Sequence, residues 1–146
     1  KKTTLVSLKI FDTYGEGDKR KKILNILLKF YKNQKKLKLT PGKQEIDYIN
    51  VLDICHLVNK ICLDIKSKKI KGFKKYTISS KKPIQLVKLV RILQKNLKNK
   101  LNVKIGALKY RKNECMKCLN STYNYPNWKP KYKLIDDLKK IFDQKN

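Results

Sequence analysis

Few residues of this chain have both the type and the spacing to do chemistry. Asp12 is the first. It ends the run Leu8-Lys9-Ile10-Phe11-Asp12, after which Thr13-Tyr14-Gly15-Glu16-Gly17 drops into a Gly-x-Gly turn. A carboxylate at a strand end accepts either the amides of its own turn or a ligand hydroxyl. Arg111 is the second. Arg20, Arg91 and Arg111 are the only arginines among 38 basic residues, and the guanidinium fork grips phosphate oxygens bidentately as an ammonium does not. Third comes Cys115-Met116-Lys117-Cys118, a C-x-x-C with neither a second pair nor a histidine pair after it. That spacing is a weak metal or redox signal, and free cytoplasmic thiols are expected. Cys55 and Cys62, seven apart on one face of a predicted helix, are expected to be small core residues. The single histidine, His56, lies in the same helix and is expected to be packed or solvated rather than catalytic. No dinucleotide fingerprint, Walker loop or serine elbow occurs. No catalytic or metal-ligating residue is assigned.

These residues must be held by one modest domain. The chain has 146 residues, and no apolar run approaches the roughly 18 residues of a membrane span. A signal peptide is not visible either, so a soluble cytoplasmic domain is the expectation. The formal charge is +27. Such an excess points to nucleic acid when it is gathered on one face. Here the lysines are spread along the whole chain, and a lysine-rich nucleic-acid-associated domain is kept as one alternative, a non-catalytic structural remnant being the other.

Period-two alternation predicts strands at Leu5–Phe11, Leu37–Leu39, Ile46–Val51, Lys75–Ser79 and within Leu101–Gly106. Helical spacing predicts helices over Lys22–Lys32, from Asp53 to Ile65, from Pro83 to Leu97, and from Leu134 to Phe142. Asp53 is expected to be the N-cap of the second helix and Pro83 the opening residue of the third. Strands alternating with helices define an α/β chain. The irregular stretch 109–130 is long for a compact domain unless it binds something.

Five landmarks then stand in a meaningful order. They are Leu8–Gly17, Gly42-Lys43-Gln44-Glu45-Ile46-Asp47-Tyr48-Ile49-Asn50-Val51-Leu52-Asp53, Tyr76-Thr77-Ile78-Ser79-Ser80, Tyr110-Arg111, and Asn127-Trp128-Lys129-Pro130. Together they resemble the C-terminal half of the extended short-chain dehydrogenase/reductases, the NAD-dependent sugar-nucleotide epimerase/dehydratase family. The wording is nearest to a subgroup acting on 4-keto-6-deoxy sugar nucleotides. The resemblance implies the C-terminal part of an extended Rossmann-type fold. Residues 5–18 would be a residual Rossmann-sheet strand with its substrate-site turn, and residues 19–146 the small substrate-binding lobe.

It further implies a nucleotide-diphosphate sugar as ligand. Asp12 would face the sugar, Arg111 would grip the diphosphate, and Glu114 would bind ribose hydroxyls. Leu37 and Leu39 would lie beside the base, and Lys22 would reach a phosphate. NAD or NADP would serve the complete enzyme, with none bound by this chain alone. In the family the Gly-rich loop and the catalytic Tyr-x-x-x-Lys helix come before the first landmark, and neither is found before Leu5 here, so no activity is expected from the chain by itself. Its partner is expected to be the missing N-terminal half, or a second copy, through an exposed strand edge. Ile46, Thr77 and Glu16 stand where the family usually has arginine, asparagine and proline, and the first of these departures removes a diphosphate contact.

Overall fold

The computed structural model describes residues 3–118 and 122–144. In chain order the elements are β1 (Leu5–Ile10), β2 (Asp12–Tyr14), α1 (Ile23–Lys32), β3 (Leu37–Lys38), β4 (Glu45–Ile46), β5 (Tyr48–Asn50), α2 (Val51–Lys66), β6 (Phe73–Ile78), β7 (Ile84–Gln85), α3 (Leu86–Asn96), β8 (Val103–Lys104) and α4 (Leu134–Asp143). The strands pair two by two. The pairs β1–β6, β2–β5 and β3–β8 are parallel, and β4–β7 is antiparallel. This is an α/β chain carrying the residual strands of a parallel sheet beside a smaller helical lobe.

Two cores hold it together. The β1–β6 pair buries Val6, Leu8, Tyr76 and Ile78 against Leu57 and Ile61 of α2, closed by Tyr125 and Trp128. The lobe core joins Leu24, Leu27 and Tyr31 of α1, Leu86, Leu89, Val90 and Leu93 of α3, and Leu138 and Phe142 of α4, with Tyr14 and Tyr48. Each helix is amphipathic and turns its 3.6-period stripe inward, which is the burial that stabilises short helices.

Several sequence expectations change. The predicted strand Leu5–Phe11 is β1, ending at Ile10 and bonded to β6; the extended path breaks at Phe11 and resumes as β2, bonded to β5, so Asp12 begins a strand rather than ending one. The predicted Ile46–Val51 strand is likewise broken at Asp47, whose carboxylate turns inward to accept the Ser79 hydroxyl and the amides of Ser80 and Lys81. Asp53 is not an N-cap. Helix α2 starts at Val51, and the Asn50 side chain caps it by accepting from the Leu52 amide at 2.9 Å. Asp53, only 1% exposed, instead accepts the amides of Lys131 and Tyr132 at 2.8 and 3.2 Å. Pro83 does not open α3, because Ile84 and Gln85 first pair with β4. Cys55 and Cys62 are exposed, not core. They do share a face of α2, but it is the face turned away from Leu57 and Ile61.

Candidate functional site

A cleft of about 980 Å³ opens where the two cores meet. One wall runs from Lys9 through Thr13 to the N-terminus of α1, the floor is the segment Gln44–Tyr48, and the opposite wall is the loop Leu108–Cys118. Local chemistry sets each part. The Gly15–Asp18 turn passes tightly over α2, where a Cβ on Gly15 would meet Val51 Cγ1 at 2.6 Å. Arg20 locks the turn by donating to both Asp18 carboxylate oxygens, at 2.6 and 2.8 Å, and to Thr13. Hydrogen bonding by Arg20 holds the Asp18 carboxyl well below the usual carboxylate range.

The floor is fixed from α3. Gln85 offers no side-chain cap, and the first amides of the helix, Leu86 and Val87, donate to the carbonyls of Gln44 and Gly42 at 3.1 and 2.8 Å. Such orphan donors need acceptors, and meeting them fixes the backbone of the floor. The far wall is tied down twice. The Lys43 amide donates to the Tyr110 hydroxyl at 2.8 Å, and the Glu45 amide donates to the Met116 carbonyl at 3.0 Å.

Five of the six residues singled out from the sequence line this cleft: Asp12, Lys22, Leu39, Arg111 and Glu114. Asp12 and Lys22 form an ion pair at 2.8 Å. The Arg111 guanidinium is exposed and has no hydrogen-bond or ion-pair partner among the described residues. Leu37 is corrected: it is buried in the lobe core, paired with Val103, and lies outside the cleft lining. Ile46, at the position of the family's arginine, lines the cleft and pairs with Ile84.

Two further floor residues went unassigned in the sequence. Gln44 and Tyr48 are 8% and 5% exposed, and Gln44 Oε1 and the Tyr48 hydroxyl are buried with no hydrogen-bond partner among the described residues. Buried polar atoms are nearly always paired, so two orphans among the residues of one cleft floor call for a partner that the described residues do not supply. Burial, and then the charge of Asp12, push the Tyr48 hydroxyl above its ordinary range, so it stays protonated. Both residues sit inside the second landmark, yet nothing in a single sequence shows that their polar ends lack partners. Cations outnumber carboxylates along the lining, with Lys9, Lys21, Lys109 and Lys117 adding to Arg20, Lys22 and Arg111. Among the described residues no group of His, Cys, Asp or Glu is arranged to hold a metal ion, and no helix is long and apolar enough to cross a membrane.

Solved structures share this fold. The chain overlays, with a TM-score of 0.75 and 9% identity, on UDP-glucose-4-epimerase from Stenotrophomonas maltophila, covering 97% of itself and 47% of that enzyme, which was solved with NAD and formylated UDP-arabinopyranose. It overlays with a TM-score of 0.69 and 18% identity on UDP-N-acetylglucosamine 4-epimerase from Methanobrevibacter ruminantium, solved with UDP-N-acetylmuramic acid, covering 94% and 44%. The chain therefore has a partial Rossmann-type α/β fold, consistent with the C-terminal part of these larger chains. Among characterised proteins the sequence is similar to CDP-abequose synthase of Salmonella muenchen, 25% identical over 142 residues, which is 96% of this chain and 47% of that enzyme. The chain thus spans about half the length of the relatives it matches. No family model matches it.

Proposed function

We propose that this chain is the sugar-nucleotide-binding portion of an NAD(P)-dependent nucleotide-sugar epimerase, dehydratase or ketoreductase, serving deoxysugar or surface-polysaccharide synthesis. The observation that carries the reading is the cleft floor, where Gln44 and Tyr48 each hold a buried polar atom left unpaired by the described residues, within a lining rich in cations that includes an unpartnered arginine. Arg111 would hold diphosphate oxygens bidentately. Glu114 would accept from ribose hydroxyls, and Leu39 would flank the base. Lys22 offsets the charge of Asp12, so a hydroxylated sugar next to a diphosphate can approach that carboxylate. The Gln44 amide and Tyr48 hydroxyl would read further polar groups of the ligand.

NAD(P) would serve the complete enzyme as its hydride carrier. Among the described residues, the helix starts offer no cradle for it. The four described helices follow Lys22, Asn50, Gln85 and Lys133, and none of these starts is a glycine-rich turn able to cradle a pyrophosphate. The dinucleotide site would lie on the half of the fold that this chain does not span. Residues 5–18 would extend that half's sheet: the edge of β1 away from β6 has no strand on it among the described residues, and Leu5 and Phe73, paired across β1 and β6, are both largely exposed.

A thermal-shift titration with CDP-, UDP-, GDP- and dTDP-sugars on wild type and Arg111→Ala tests the reading. Stabilisation by one nucleotide class, lost in the variant, is expected. A flat response to all four, with salt-sensitive shifts from oligonucleotides instead, would overturn it in favour of lysine-driven nucleic-acid binding.

A further inference from the structure

The C-x-x-C of the far wall is not used by the ligand reading, yet both of its thiols line the cleft. Cys115 is exposed and Cys118 half-buried. The loop between them is tied to the cleft floor, where Met116 accepts from the Glu45 amide at 3.0 Å, and it folds back on itself, the Cys115 thiol donating to the Lys117 carbonyl at 3.4 Å. The two thiols stand three residues apart on this one turn of chain and differ in exposure. Burial, then Asp47, Glu45 and Cys115, push the Cys118 thiol above its ordinary range. An accessible thiol beside a sheltered one is the arrangement in which the first attacks and the second resolves.

We propose that Cys115 and Cys118 form a thiol–disulfide exchange site on the cleft rim, taking a small-molecule disulfide such as oxidised glutathione and closing to an intramolecular disulfide. The Cys115 thiolate attacks one sulfur of oxidised glutathione, the S–S bond breaks, and one glutathione leaves. Cys118 then attacks the Cys115 sulfur of the mixed disulfide, a Sγ–Sγ bond forms, and the second glutathione leaves. The two cysteine sulfurs lose two electrons, the glutathione sulfurs gain them, and the two thiol protons end on the two glutathiones. Closure reshapes the turn that carries Met116 and loosens its carbonyl from the Glu45 amide. Because Glu114 adjoins the pair, closure also alters the wall proposed to hold the ligand; only this last consequence rests on the sugar-nucleotide reading.

The protein carries its own control. Cys55 and Cys62 are equally free and both exposed, but seven residues along a helix separate them by roughly 10 Å, beyond the reach of a disulfide. The test incubates the full chain in glutathione buffers of graded ratio, quenches with acid, alkylates, and maps peptides by mass. The segment holding Cys115 and Cys118 is expected to become lighter by two hydrogens and resistant to alkylation. Cys118→Ser should stop at a glutathione adduct on Cys115, and Cys55 and Cys62 should not bridge. Hydrogen exchange at the Glu45 amide should rise on the order of tenfold in the oxidised form as its bond to Met116 opens. Adducts scattered evenly over all four cysteines, or a Cys115–Cys118 bond that leaves Glu45 exchange unchanged, would overturn the proposal. Every readout is made without nucleotide, so this inference and the ligand reading fail separately.

Discussion

Replacing Tyr48 with Phe should stabilise the protein and weaken its ligand at the same time. The hydroxyl is buried with no partner among the described residues, in a side chain packed edge-on against Tyr14 with ring centroids 6.5 Å apart. An unmade hydrogen bond of a buried polar group costs about 1–3 kcal/mol. Deleting the oxygen removes that cost and forfeits only the few contacts the atom makes, so a net gain of about 1 kcal/mol is expected. For a chain of this size that raises Tm by about 3–4 °C. In the bound state the same hydroxyl would be satisfied, and losing one neutral hydrogen bond lowers affinity by about two- to tenfold. Differential scanning calorimetry with and without the stabilising nucleotide sugar reads both effects on one sample. A variant that is less stable than wild type, with unchanged ligand-induced shift, would refute the reasoning, since the hydroxyl would then be satisfied within the protein and idle in binding.

Other perturbations probe what holds the cleft. Asp53→Ala strands the amides of Lys131 and Tyr132 and should cost on the order of 3 kcal/mol, whereas Asp53→Asn keeps one acceptor and should cost less; urea unfolding with proteolysis after Lys131 reports both. Gly42→Ala forces a side chain onto φ +71° and puts a Cβ 2.9 Å from the Val87 amide nitrogen. It should destabilise by more than about 1 kcal/mol and raise hydrogen exchange at the start of α3. Because Asp18 is held below its ordinary value of 3.8 in the folded state, its contribution is complete above that value and is lost as pH falls through the depressed one. Acid titration of stability should therefore flatten in Asp18→Asn, and a carboxyl resonance of Asp18 titrating at the ordinary value would contradict the Arg20 clamp.

How much of this was legible in the chain divides along physical lines. Helices α1, α3 and α4 were readable because their apolar residues recur at 3.6 and one stripe suffices to bury them. The five landmarks identified the fold, and Asp12, Arg111 and Glu114, just over a hundred residues apart at the extremes, do line one cleft. What a strand pairs with was not readable: alternation ends the first strand at Phe11, yet Asp12–Tyr14 forms a second one because β5 lies beside it to take its hydrogen bonds. Local rules also lost to distant partners. Asp53 looks like a cap from its neighbours alone, while Asn50 is better placed because its other side-chain end donates to Asp137 of α4, leaving Asp53 to staple the segment after Pro130. The spacing of Cys55 and Cys62 showed that they share a helix face, but which face meets the core depends on where β1 and β6 lie. Periodicity and residue type thus determined the elements and the family they resemble. The tertiary structure alone decided which polar atoms are left unpaired, since a hydrogen bond is lost or made between groups that the linear chain does not bring together.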